Sequence, residues 1–144
     1  MLSRNEIKAA LKKWNQAWDE HDLDGVMELF HEDILFENWT GGKAQGKKAL
    51  HQAWEPWFRN HGGFRFSQED LFIDEVEQKV LYQWRLDWPS SEKGFAGQFE
   101  QRRGLDVIHF RGGKIIRKFT YSKTAVEISG KRVRLIAEGG GNLL

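Results

Sequence analysis

The chain has 144 residues, no cysteine, 40% hydrophobic and 30% charged side chains, and a formal net charge of +1. That length favours a single domain, and the lack of thiols excludes disulfide scaffolds, thiolate zinc sites and cysteine nucleophiles. No apolar run approaches the ~20 residues of a membrane span. Residues 1–6 carry no secretory h-region, so the expectation is a cytoplasmic protein with no membrane partner.

Ser3-x-x-Glu6 reads as a capping box that opens a helix. Ile7, Ala10, Leu11, Trp14, Ala17 and Trp18 recur on its inner face, and the pattern ends near Asp19-Glu20-His21. Asp22 is the next N-cap, with Leu23, Val26, Met27 and Phe30 as a second apolar stripe. Residues 34–39 are rich in strand formers, and Gly41-Gly42 is a turn. Gly46 opens a third helix bearing Ala49, Leu50, Ala53, Trp54, Trp57 and Phe58; Pro56 is expected to kink or shorten it.

After Gly63 the hydrophobic period changes from helical to two. Residues 64–74, 80–88, 95–110 and 115–123 read as strands, with a loop at 89–94 and a hairpin turn over Gly112-Gly113. In 80–88, Val80, Tyr82, Trp84, Leu86 and Trp88 share one side. Residues 126–128 and 133–136 pair over Ser129-Gly130 as a short hairpin, and Gly139–Gly141 is expected to fray. Helices followed by antiparallel strands imply an α+β domain, with three helices packed on one face of a curved sheet. Such a sheet leaves a conical space. The 7 Trp, 2 Tyr and 10 Phe suit a ligand pocket there better than a solid core.

The charge is uneven: residues 102–134 carry ten Lys/Arg against Asp106 and Glu127. These charges mostly alternate along strands, which describes a solvated sheet face, so no nucleic-acid partner is expected. The histidines (His21, His31, His51, His61, His109) have no metal-ligand spacing, and neither a phosphate loop nor a Gly-x-Ser-x-Gly elbow is present. No metal and no cofactor are expected.

Two segments carry a resemblance. One is Trp14-x3-Trp18-x2-His21-Asp22-Leu23-Asp24-Gly25-Val26-Met27-Glu28-Leu29-Phe30-His31-Glu32-Asp33. The other is Gly104-Leu105-Asp106-Val107-Ile108-His109-Phe110-Arg111-Gly112-Gly113-Lys114-Ile115. Both resemble nuclear transport factor 2-like proteins of the SnoaL-like and ketosteroid isomerase-like type. The likeness covers residues 1–123 as one domain and leaves 124–144 as a C-terminal extension. It implies a cone-shaped half-barrel with an apolar pocket, and a homodimer. It leaves function open, because this fold hosts isomerases, cyclases, dehydratases and non-catalytic binders. By position, the resemblance places a carboxylate base at Glu37 and an oxyanion-hole acid at Asp106. Where isomerases of this type have a tyrosine on the first helix, this chain has Trp14.

The residues themselves support part of this. Glu37 and Asp106 are each lone acids between apolar neighbours. If they face inward, desolvation favours their neutral forms, and two carboxyls in one pocket split into a base and an acid. That suits proton abstraction beside a carbonyl. The alternative is a solvated strand face with Lys or Arg partners. Trp18, Trp39, Trp54 and Trp84, with Trp14, are the expected walls for a small hydrophobic ring compound. Gln98, Glu100 and Arg102 share strand parity with Asp106 and form a polar lane unless a bulge at Gly97 or Gly104 intervenes. The chain is therefore either a cofactor-free acid/base enzyme or a non-catalytic carrier.

Overall fold

The computed structural model describes residues 1–135. The chain order is α1 (Arg4–Asp19), α2 (Leu23–Met27), β1 (Phe30–Glu37), β2 (Lys43–Gln45), α3 (Lys47–Arg59), β3 (Arg65–Asp74), β4 (Lys79–Pro89), β5 (Phe99–Arg111), β6 (Lys114–Ser122), β7 (Ala125–Ile128) and β8 (Lys131–Arg134). The sheet runs β2-β1-β6-β5-β4-β3, antiparallel except for the parallel β1–β6 pair. β7 joins the far end of β5 at Glu100 and carries β8. The sheet curls into an open half-barrel over the helices, the expected α+β cone.

Local chemistry sets the helix ends. Ser3 Oγ accepts from the Glu6 amide and Glu6 returns a bond to the Ser3 amide, closing the capping box. Ser3→Ala is expected to lower stability by about 1 kcal/mol, the usual worth of an N-cap, read as a lower urea midpoint. Asp22 caps α2 through the Gly25 amide. Between them His21 takes a positive φ of 54°, donates from Nε2–H to the Phe64 carbonyl oxygen, and stacks on His61 at 3.7 Å. These contacts fasten the end of α1 to the α3–β3 corner.

Several boundaries differ from the sequence reading. α2 stops at Met27 and Phe30 already begins β1, four residues before the expected strand, so Trp39 falls in the turn beyond it. The short β2 has no sequence signal but pairs with β1 at Leu35–Glu37. α3 runs past Pro56 to Arg59. β5 begins at Phe99 rather than 95, because Gly97 (φ 80°) and the Gln98 amide bonded to the Phe95 carbonyl make a turn of 95–98. The last hairpin turns at Ser129-Gly130, both at positive φ. Ile136 and Gly139–Gly141 lie outside the described residues.

The core is the contact between α1, α3 and the concave face of the sheet. Ile7, Leu11, Trp14 and Trp18 meet Leu50, Trp54 and Phe58, and both rows cover Val80, Trp84, Leu86 and Ile108. Gly104 on β5 is a packing requirement. A Cβ there would meet the Trp84 ring at 2.6 Å and the Tyr121 carbonyl at 2.2 Å. The missing side chain leaves room for the Trp84 indole against β5.

Candidate functional site

A cavity of about 530 Å³ lies between α1, α3 and the concave sheet. All seven tryptophans of the chain line it: Trp14, Trp18, Trp39, Trp54, Trp57, Trp84 and Trp88. Helical spacing delivers Trp14 and Trp18 from one face of α1, in edge contact at 5.8 Å. Trp54 comes from α3 and packs on Trp18 at 5.2 Å and Phe36 at 5.1 Å. Strand parity delivers Trp84 and Trp88 from β4, and Trp39 leans over both. The expected walls Trp14, Trp18, Trp39, Trp54 and Trp84 are thus brought together. Trp57 and Trp88, which read as core, join them. The indole N–H groups of Trp14 and Trp57 are buried and have no hydrogen-bond partner within the protein. Each is an unsatisfied donor on a ring that lines the cavity.

One strip of this wall is polar. Tyr82, Asp106 and Thr120 lie side by side on β4, β5 and β6, in direct cross-strand register. Thr120 Oγ1 donates to Asp106 Oδ1 at 2.7 Å. Lys118 Nζ donates to Thr120 Oγ1 at 2.8 Å and stands 3.3 Å from Asp106 Oδ2. The ammonium also lies over the rings of Phe36 (5.0 Å) and Trp54 (5.7 Å). Asp106, Lys118 and Thr120 are all buried. Burial pushes the Lys118 pKa down, and the charge and hydrogen bond of Asp106 pull part of the way back. Burial, then the charges of Asp106 and Asp19, push the Tyr82 phenol above its ordinary range, against an Asn15 hydrogen bond that lowers it.

Asp106 is therefore not the lone acid that its apolar neighbours implied; it has a buried amine beside it. The reason is a bulge. His109 pairs with Arg117 but Phe110 pairs with Ile115, so Ile116 is an extra residue in β6. Strict alternation from buried Ile115 would turn Arg117 and Phe119 inward. The extra residue reverses this and turns Lys118 and Thr120 into the cavity.

Two expected site residues lie elsewhere. Glu37 sits on the strand face opposite Phe36, is absent from the cavity wall, and faces Lys43 across β2 at 3.6 Å. Glu37 and Asp106 do not meet in one cavity. Gln98 belongs to the turn before β5, is exposed, and accepts from Ser129 Oγ. The rest of the polar lane keeps its parity: Glu100, Arg102 and Asp106 all point inward. Arg102, however, is absent from the cavity wall. It is 1% exposed, forks onto Glu100 at 3.0 and 3.2 Å, and reaches Glu92 at 2.8 Å. Its guanidinium lies against Trp39 and Trp88, propping those rings from behind.

Among the described residues no group of three or more His, Cys, Asp or Glu is placed to hold a metal ion. No helix there is long and apolar enough to cross a membrane.

With this geometry in view, comparison with known proteins decides the family. The SnoaL-like domain profile matches residues 11–118. The chain belongs to the SnoaL-like family. No curated protein matches it in sequence. Solved structures share its fold. A cystatin-like-fold protein of unknown function from Methylobium petroleophilum PM1 superposes with a TM-score of 0.69 at 17% identity, over 96% of this chain and 82% of that one. A candidate polyketide cyclase from Xanthomonas campestris does so at 0.69 and 18%, over 83% and 92%. An NTF2-like protein of unknown function from Mesorhizobium loti follows at 0.66 and 21%, over 85% and 96%. At these identities the likeness speaks for the fold alone. The SnoaL-like match thus runs from α1 into β6 and takes in Tyr82, Asp106 and Lys118, with Thr120 two residues beyond its end.

Proposed function

We propose that this SnoaL-like protein binds a small, flat, hydrophobic ring compound bearing an oxygen, and moves a proton on it without a cofactor. The observation that carries this reading is the buried Asp106–Thr120–Lys118 chain set, beside Tyr82, into a wall that holds seven indoles and two phenyl rings, with Asn15, Asp19, Asn38, Arg65, Ser67 and Gln68 as its other polar groups. Such a wall selects apolar surface and leaves a few polar groups to orient it. The Asp106 carboxylate is the base beside a carbonyl. The Lys118 ammonium and the free Trp14 N–H are the donors for the developing oxyanion. One structural neighbour is a candidate polyketide cyclase, and a ring-forming activity agrees with this cavity.

The test is a tryptophan-fluorescence titration with naphthols of graded acidity. Affinity is expected to rise with acidity. At a pH where Lys118 still holds its proton in the variant, Asp106→Asn is expected to tighten the acidic members by about tenfold, ~1.4 kcal/mol, because it removes the charge that competes for Lys118. A second reading, a carrier without turnover, is favoured by the position of Glu37 outside the cavity. Binding that ignores both acidity and Asp106 would select it.

We also propose a homodimer. Phe72, Leu81, Val107 and Phe119 pair in one row across β3, β4, β5 and β6 on the outer face, with Tyr121 exposed beside them. A second copy is the partner that would cover this apolar row on the outer sheet face. Wild type is expected to sediment as a dimer and Phe119→Asp as a monomer. A monomeric wild type at micromolar concentration would refute it.

A further inference from the structure

The described residues bury four charged side chains, as two pairs: Glu100 with Arg102, and Asp106 with Lys118. The pairs are built differently. Arg102 meets carboxylate oxygens at 2.8, 3.0 and 3.2 Å and lies outside the cavity wall. It is a guanidinium that never loses its proton. Lys118 makes one short hydrogen bond, to a hydroxyl, and its contact with Asp106 at 3.3 Å exceeds the span of a charge-assisted bond. Rings of the cavity wall face it. The protein thus places its fully satisfied cation behind the cavity and its weakly held, deprotonable one in the wall.

From this geometry we infer that Lys118 is a nucleophilic amine that captures a ketone or aldehyde on the bound ring compound as an imine. The inference rests on the ring-binding part of the reading above, names the ligand class more narrowly, and replaces the oxyanion-donor role of Lys118 with a covalent one. The balance closes within the site. The ammonium gives a proton through Thr120 to Asp106, and the free amine adds to the carbonyl carbon while the C=O π pair moves to oxygen, which takes a proton from the new C–N nitrogen to give the carbinolamine. The C–O bond of the carbinolamine then breaks as Asp106 returns the proton to the leaving hydroxyl. The net change is ammonium plus carbonyl to iminium plus water, with no oxidant or reductant. The relay exists already as the Nζ–Oγ1–Oδ1 chain of 2.8 and 2.7 Å. Burial of Lys118 supports it, since each unit by which an amine pKa falls raises its neutral fraction about tenfold near neutral pH. The iminium is then an electron sink, so the carboxylate at Asp106 can remove the adjacent carbon's proton.

The experiment uses 6-methoxy-2-naphthaldehyde with sodium cyanoborohydride at neutral pH, followed by intact-mass and peptide mapping. The reductant converts an imine into a stable secondary amine. One adduct on Lys118 is expected, formed at least about tenfold faster than on any surface lysine, and lost when 2-naphthol fills the cavity. Adducts spread over surface lysines with Lys118 unmodified overturn the inference. Mapping the wild type removes any dependence on whether Lys118→Met folds. Tryptophan quenching by the aldehyde without reductant separates the two readings. Quenching with no Lys118 adduct overturns the imine alone. No quenching and no adduct overturns ring binding as well.

Discussion

Glu100→Ala is expected to cost about 3–5 kcal/mol of stability, the range for removing one partner of a buried ion pair. Glu100 is fully buried and accepts from Arg102, from Ser90 Oγ at 3.0 Å and from the Trp88 indole. Alanine would strand a guanidinium that is 1% exposed, with Glu92 as its remaining carboxylate, and would orphan the Trp88 N–H. The loss would be read as a fall in urea midpoint at unchanged slope. Replacing both partners by apolar residues of similar shape, Glu100→Leu with Arg102→Met, is expected to recover most of it, because the cost lies in the uncompensated charge. Ring binding should still weaken in the double variant, since Trp39 and Trp88 lose the guanidinium behind them. A loss below about 1 kcal/mol in Glu100→Ala would mean that Arg102 finds water, and that it is less enclosed than the fold implies.

How far the site could be read from sequence follows from where alternation holds. In β4 it holds without interruption, so Tyr82, Trp84 and Trp88 were legible as one inward face. In β5 it holds from Glu100 to Ile108, so Asp106 and Arg102 were legible as inward. The helices were legible because capping residues and apolar spacing agree at Ser3, Glu6 and Asp22. β1 was not, because Ile34-Leu35-Phe36 is continuously apolar. A run without alternation does not say which of Phe36 and Glu37 faces in. β6 failed for a different reason. Its Ile116 bulge inverts the parity that Ile115 announces, and Lys118 reads as one more solvated lysine of a basic segment. The available signal was Thr120. A threonine two residues from a lysine, on the strand beside an aspartate that must be paired if buried, is a donor chain waiting for a register. Gln98 failed because the turn of 95–98, with Gly97 at positive φ, delays the start of β5 to Phe99.

The same bulge leads to a pH dependence with a definite sign. Lys118 has a folded-state pKa below the ordinary 10.5, with burial the larger cause and Asp106 opposing it. A lysine of this kind costs stability while both states hold the proton. The cost is relieved as pH rises from its lowered folded value toward 10.5, because there the unfolded chain binds more protons. Asp106→Asn removes the attraction and lowers the folded value further, so the variant sheds the proton earlier. Its deficit against wild type is therefore expected to be largest where both proteins hold the proton and to shrink as pH rises through the variant's lowered value, by up to about 1.4 kcal/mol per unit. It should vanish near the wild-type lysine's own pKa, below 10.5. Tyr82 does not interfere, since its phenol is pushed above its ordinary range and keeps its proton throughout. Denaturation between pH 7 and 10 measures the slope. In Asp106→Asn with Lys118→Met the slope should disappear, because no titrating amine is left in the strip. A deficit in Asp106→Asn that stays flat over that range would show that Lys118 keeps one charge state, and the proton relay between the two residues would fall with it.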